Sequence, residues 1–125
     1  MPSQARIEHI NITVSDMDRS IALLESAFGW HVRIRAPHAV RGEFAHVGSE
    51  DNYVALWADG GDHSGQRKGK PLNHIGVQVD DLDAAEHAVI ASGLEPNTHG
   101  TYDPGPSSFY FFDWDGIEFE VVSYA

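Results

Sequence analysis

Apolar and polar residues alternate strictly along residues 9–14 and again, 65 positions later, along residues 74–79. A period of two predicts a β-strand with one apolar face and one polar face. Each stretch opens with a histidine on the polar face, His9 in the first and His74 in the second. The chain is therefore predicted to contain two copies of one structural unit.

Each predicted strand leads into a segment with apolar residues at helical spacing. A helix is predicted over residues 17–28 and is expected to end at Gly29, while a second is predicted over residues 82–92. Residues 15–16 and 80–81 supply serine or aspartate side chains that can cap the two helix starts. The helices therefore begin at equivalent places in the two copies.

Short alternating segments and turn residues predict three further strands in each copy. They cover residues 30–35, 42–48 and 53–58 in the first copy and residues 95–101, 109–113 and 117–123 in the second. The predicted fold is α+β, with paired βαβββ modules that form a curved, cup-like mixed sheet with helices on its outer face. One domain is expected, with modules at about residues 5–58 and 72–125.

The segment between the modules, residues 59–71, is rich in glycine and polar residues. It also contains the cationic cluster Arg67, Lys68 and Lys70. Such a segment is more typical of a solvated flexible loop than of a lid over a binding site.

Composition narrows the classes of function. The 125 residues carry a net charge of −11, which argues against a nucleic-acid partner and makes strongly anionic substrates unexpected unless a local cluster reverses the field. No apolar run is long enough to cross a membrane, and no signal peptide is visible. With no cysteine, any metal site must use histidines and carboxylates, and a cytoplasmic location is expected.

Three side chains at equivalent places of the repeat point to a metal site. His9 and His74 open the first strand of each module, and Glu120 lies on the polar face of the last strand. The residue that corresponds to Glu120 in the first module is Ala55, which cannot bind a metal. Two imidazoles and one carboxylate suit Fe(II) or Mn(II), and also Zn or Ni, and leave positions open for substrate. Glu118 shares the face of Glu120 and is the rival ligand.

A single histidine on a strand is ordinarily solvated or hydrogen-bonded to a neighbour and would support no such interpretation. Two histidines at one repeat offset, together with a carboxylate, favour the metal site instead.

The chain resembles the vicinal oxygen chelate superfamily, which includes glyoxalases, bleomycin resistance proteins and extradiol dioxygenases. The resemblance is based on the motifs around His9 and His74 and on residues 109–120, where an Asp-Trp-Asp-Gly turn precedes the glutamate. The family's turn carries proline where this chain has Trp114. The resemblance implies paired βαβββ modules, a divalent metal held by His9, His74 and Glu120, and a homodimer.

The subfamilies are separated by what surrounds this ligand set. Glyoxalase I and related epimerases use a fourth ligand where this chain has Ala55. Bleomycin-type binding proteins lack the metal ligands. Fosfomycin-type thiol transferases share the ligand set and a tyrosine at Tyr110, but they also carry basic residues that find no equivalent beside this predicted site. Extradiol dioxygenases share the ligands, the tyrosine and the flanking residues.

The resemblance implies an extradiol-dioxygenase-like enzyme that acts on a small substrate with vicinal oxygens. The alternatives are a glyoxalase-like lyase, a fosfomycin-type thiol transferase, and a non-catalytic small-molecule-binding protein. Tyr110 is expected to bond to the bound oxygen, and His99 is the candidate acid/base. The substrate pocket is predicted to include four further side chains, Asn11, Tyr53, Trp57 and Gln78.

Overall fold

The computed structural model describes residues 4–66, 69 and 71–125, and the cationic cluster of the predicted linker lies outside this part of the chain. Within it, the first module consists of β1 (His9–Thr13), α1 (Met17–Phe28), β2 (His31–Pro37), β3 (Glu43–Gly48) and β4 (Tyr53–Ala58). The second consists of β5 (Ile75–Gln78), α2 (Leu82–Ala91), β6 (Asn97–Thr101), β7 (Ser107–Phe112) and β8 (Glu118–Ser123). The predicted α+β fold of paired βαβββ modules is thereby confirmed.

Each module forms its own four-stranded mixed sheet, in the orders β1-β4-β3-β2 and β5-β8-β7-β6. The first and last strands of each module run parallel and in the same register, because Asn11 pairs with Ala55 and Gly76 pairs with Glu120. Both positions of the second pair follow their counterparts by 65 residues, so Ala55 is the counterpart of Glu120 in three dimensions as well as in sequence.

The capping residues hold both helix starts. Asp16 and Asp81 have extended backbones, and their carboxylates accept hydrogen bonds from the backbone N–H groups three residues further on. Gly29 ends α1 in the left-handed conformation, which glycine adopts without steric cost. No helix in the described ranges is long and apolar enough to cross a membrane.

The strand that was predicted to begin at His74 is shorter than the alternation suggested, because β5 spans only Ile75–Gln78. Its pairing with β8 begins at Ile75, which lies opposite Phe119, so His74 precedes the ladder.

The hydrophobic face of each sheet is covered by the helices, and the core cluster runs through both modules. Phe28 of α1 contacts Phe111 and Phe119 of the second sheet, with ring centroids 6.5 and 6.0 Å apart. The other face of each sheet, here called the open face, carries the polar side chains.

A buried carboxylate connects the two modules at one end. Asp115, in the turn before β8, is 2% exposed and accepts hydrogen bonds from the backbone N–H and the hydroxyl of Ser15. The backbone N–H of His63 donates to the same Ser15 hydroxyl at 2.7 Å. This network joins the end of β1, the segment after β4 and the β7–β8 turn.

The neighbouring Asp113 was predicted both to end the strand of residues 109–113 and to begin the following turn; β7 ends at Phe112, so Asp113 belongs to the turn alone. Its Oδ1 accepts the backbone N–H groups of Asp115 and Ile117, both at 2.9 Å. Burial raises the pKa of Asp113 to about 6, against the lowering effect of these hydrogen bonds. The folded state therefore binds the Asp113 proton more tightly than the unfolded state does.

Replacing Asp113 with asparagine is expected to stabilise the protein at pH 7.5, since the amide oxygen keeps both hydrogen bonds without the buried charge. The parent loses stability at this position as the pH rises from about 4 to about 6, so the advantage of Asp113→Asn should grow over that window to at most about 3 kcal/mol. Urea unfolding of variant and parent at pH 4.5 and 7.5 measures this difference in the free energy of unfolding. Asp51→Asn, in an exposed turn, is the control. A variant less stable than the parent at pH 7.5 would contradict the prediction.

Candidate metal site

The open face of the second module brings three of the predicted side chains together. The Nε2 of His74 lies 3.2 Å from a carboxylate oxygen of Glu120. Tyr110 pairs with Glu120 in the β7–β8 ladder, and its ring packs edge-on against the His74 ring at 5.6 Å. All three side chains therefore border one small volume.

Each of the two histidines is oriented by the residue before it. His74 Nδ1 lies 2.8 Å from the amide oxygen of Asn73, and His9 Nδ1 lies 2.8 Å from a carboxylate oxygen of Glu8. These oxygens accept hydrogen bonds, so Nδ1 carries a proton, and in the neutral imidazole Nε2 then presents a lone pair. A partner at the far nitrogen is the usual support of a metal-binding histidine. Glu8 and Asn73 hold the same position in the repeat, although sequence analysis had singled out neither.

The His74–Glu120 contact fits a bound cation. With Nδ1–H donating to Asn73, the contact places two electron-pair donors 3.2 Å apart, which repel each other unless a proton or a cation lies between them. Two ligands each about 2.1 Å from one ion are separated by about 3.0–3.4 Å at ordinary coordination angles. The spacing and chemistry of this pair therefore suit a divalent metal.

Tyr110 is held as a hydrogen-bond donor. Burial raises the pKa of Tyr110, and the charge of Glu120 and its hydrogen bond with the tyrosine raise it further. The hydroxyl is therefore protonated at neutral pH, and its proton is directed to the carboxylate that faces His74.

The open face of the first module carries a row of aromatic rings. His9 stacks on Tyr53 at 5.0 Å, and His46 stacks on Tyr53 at 4.3 Å. His46 pairs with Ala55 as Tyr110 pairs with Glu120, so His46 occupies the place of the tyrosine in this module. Burial is the main cause that lowers the pKa of His46.

His9 does not join the pair on the second module within one chain. Among the described residues of one chain, no three histidine, aspartate or glutamate side chains are grouped closely enough to hold a metal ion. Of the two rival glutamates, Glu120 faces His74, while Glu118 is 5% exposed. Within one chain, the His74–Glu120 pair therefore lies on the second module and His9 lies on the first.

His99, the predicted acid/base, lies on the other side of its sheet. Its Nε2 is 2.8 Å from a carboxylate oxygen of Glu86 in α2, and its ring stacks on the buried Phe109 at 6.1 Å. The register of β6 shifts between Asn97 and Gly100, which turns this part of the strand. His99 therefore faces the helix layer, away from Tyr110.

The four predicted pocket residues lie in three different places. Tyr53 and Gln78 line a cleft of about 420 Å³ between the edges of β1 and β5, and His9 also lines it. Asn11 is exposed on β1. Trp57 lies further along β4, where its Nε1 donates to the backbone oxygen of Arg41 at 3.0 Å.

Removing the amide of Asn73 tests whether it orients His74. Asn73→Ala is expected to lower the affinity for Mn(II) by about 10–100-fold, because Nδ1 loses its acceptor. Asn73→Asp should retain most of the affinity, since a carboxylate plays this part for His9 in the first module. Calorimetric titration with Mn(II) measures both, and equal affinities for the alanine variant and the parent would remove Asn73 from this role.

The chain is similar to known proteins in sequence and in fold. The family model described as "Glyoxalase/Bleomycin resistance protein/Dioxygenase superfamily" matches residues 6–121. Curated protein sequences contain no significant match. A glyoxylase/bleomycin resistance protein/dioxygenase domain from Frankia sp. EAN1pec is 24% identical with a TM-score of 0.80, and the alignment covers 97% of this chain and 98% of that one.

Two further solved structures have the same fold. A mutant of the fosfomycin resistance protein FosX from Listeria monocytogenes, complexed with Mn(II) and 1S,2S-dihydroxypropylphosphonic acid, is 22% identical over 97% of this chain and 93% of that one, with a TM-score of 0.74. A mutant glyoxalase I from Zea mays is 20% identical with a TM-score of 0.75, over 94% of this chain and 45% of that one. At such identities the likeness concerns the fold alone.

Proposed function

The chain belongs to the glyoxalase/bleomycin resistance protein/dioxygenase superfamily, because the family model matches nearly the whole length of the chain. We propose that the protein is a divalent-metal-dependent enzyme that acts on a small substrate with vicinal oxygens. The observation that carries the proposal is the approach of His74 Nε2 to the Glu120 carboxylate at 3.2 Å, with Nδ1 already bonded to Asn73. The FosX complex named above contains Mn(II), which makes Mn(II) or Fe(II) the first candidates here.

The third ligand is His9 of a second copy of the chain. His9 has the same supporting bond as His74, and its Nε2 is left available. In one chain, however, the described residues hold no three-donor cluster. A two-fold homodimer that sets the first module of one copy against the second module of the other would complete two equivalent sites.

The chain's own residues would divide the work at this site. A bound divalent ion supplies Lewis-acid polarisation of two neighbouring substrate oxygens. Tyr110 keeps its proton at neutral pH and would donate a hydrogen bond to a substrate oxygen beside Glu120. The aromatic row of His9, Tyr53 and His46 would form the facing wall and limit the access of water.

An extradiol-dioxygenase-like reaction is the first candidate, since the two-histidine, one-glutamate set and Tyr110 match that type of site. The position of His99 favours a second candidate, a lyase or thiol transferase that needs no histidine at that place. Ring cleavage of catechol by the Fe(II)-loaded protein in the presence of oxygen would distinguish the first from the second.

Metal content is the test of the proposal as a whole. Anaerobically purified protein, loaded with Mn(II) and passed through a desalting column, is expected to retain about one ion per chain and to have the mass of a dimer in light scattering. A protein that takes up no Mn(II), Fe(II), Zn or Ni would contradict the proposal of a metal-dependent enzyme and would favour a non-catalytic binding protein.

A further inference from the structure

One cation lies on the open face of the first module beside the aromatic row. The guanidinium of Arg33 lies over the Tyr53 ring, with its Cζ 4.5 Å from the ring centroid. Tyr53 is also the ring on which His9 and His46 stack. Arg33 therefore reaches from β2 across β3 to the strand beside His9, where sequence analysis had expected no basic residue.

An irregularity in β2 frees this side chain. Val32 pairs with Val47 and Ile34 pairs with His46, so the register shifts and Arg33 is an extra residue in the strand. Such a bulge re-aims the side chain of the inserted residue. The alternation of β2 alone could not have predicted where Arg33 points.

Arg33 is exposed and forms no ion pair with any described residue. Arg35, two residues further along the strand, is the contrast. Its guanidinium is bound at 2.6 Å by Asp18 of α1 and at 2.7 Å by Glu43 of β3. The pKa of Glu8 is lowered mainly by its hydrogen bond with His9, and the charge of Arg33 is the smallest of the contributing causes. In a chain of net charge −11, Arg33 is thus a cation available to an outside anion.

We propose that Arg33 binds the carboxylate of the substrate, and that the substrate is a planar, unsaturated or aromatic carboxylic acid with vicinal oxygens. The inference rests on the proposed function, because the vicinal oxygens are assigned to the metal site. A guanidinium presents two parallel N–H donors to a carboxylate, and the Tyr53 and His46 rings offer a flat surface for the planar part. The local cation offsets the repulsion expected from the net charge.

The test compares two compounds that differ by a carboxylate. Catechol and 3,4-dihydroxybenzoate share a planar ring with vicinal oxygens, and calorimetry without oxygen measures their binding to the Mn(II)-loaded full chain at one salt concentration. The parent is expected to bind 3,4-dihydroxybenzoate at least about ten-fold more tightly than catechol. Arg33→Gln should remove this preference, and Arg33→Lys should retain part of it.

Arg35→Gln is the matched control, since it removes a cation from the same strand without changing the open face. The preference should persist in it. Equal binding of the two compounds by the parent, or a preference that survives Arg33→Gln, would overturn the inference and leave the metal site intact. Binding of neither compound by the Mn(II)-loaded protein would contradict the proposed function as well.

Discussion

Replacing Glu120 with glutamine is expected to lower the affinity of the protein for Mn(II) by more than about 100-fold, while the same change at Glu118 should have a far smaller effect. The reason is the geometry of β8, where Glu120 faces His74 Nε2 at 3.2 Å. A neutral amide is a much weaker ligand for Mn(II) than a carboxylate. Glu118 is only 5% exposed, so Glu118→Gln changes a buried carboxylate and leaves in place the carboxylate that faces His74.

Calorimetric titration of the two variants with Mn(II) decides between the glutamates. Thermal unfolding without metal serves as the control, because both isosteric changes should leave a folded protein. A larger loss of affinity in Glu118→Gln than in Glu120→Gln would reverse the ligand assignment.

Replacing His9 with alanine is expected to reduce Mn(II) binding as strongly, although His9 belongs to no three-donor cluster among the described residues of one chain. Its Nδ1–H bond to Glu8 and its position in the repeat support the proposal that it is the third ligand, supplied by a second copy. His46→Ala is the matched control. His46 is another histidine on the same open face and is likewise stacked on Tyr53, and its loss should leave Mn(II) affinity unchanged.

Mn(II) titrations of the two histidine variants give the answer directly. If His9→Ala retained the Mn(II) affinity of the parent, His9 of the second copy would not be the third ligand. A loss in both variants would indicate that the aromatic row supports the site as a whole.

Much of the fold follows from the sequence because its signals are local and repeated. The alternation of residues 9–14 and 74–79 fixes two strands, and their common offset fixes the pairing of the modules. Gly29 and the capping aspartates fix where the helices lie. The register between Gly76 and Glu120 then follows from the equivalent pair in the first module.

The candidate site was less predictable, since it depends on irregularities and on contacts between elements. His99 was expected to face the substrate, but the register shift in β6 turns it to Glu86. Arg33 was not singled out, because only the bulge in β2 directs it to the open face. By contrast, Glu8 and Asn73 precede the two histidines at equivalent positions, so comparing the repeats residue by residue would have found both.

The most direct test is the metal content of a heterodimer that joins a His9→Ala chain to a Glu120→Ala chain. Co-expression with two different affinity tags and sequential purification isolates this species, and each variant homodimer serves as the control. If His9 of one copy meets His74 and Glu120 of the other, the heterodimer retains one intact site and should bind one Mn(II) per dimer, while neither homodimer binds. A heterodimer that binds no Mn(II), beside a parent that does, would contradict a site shared between two chains.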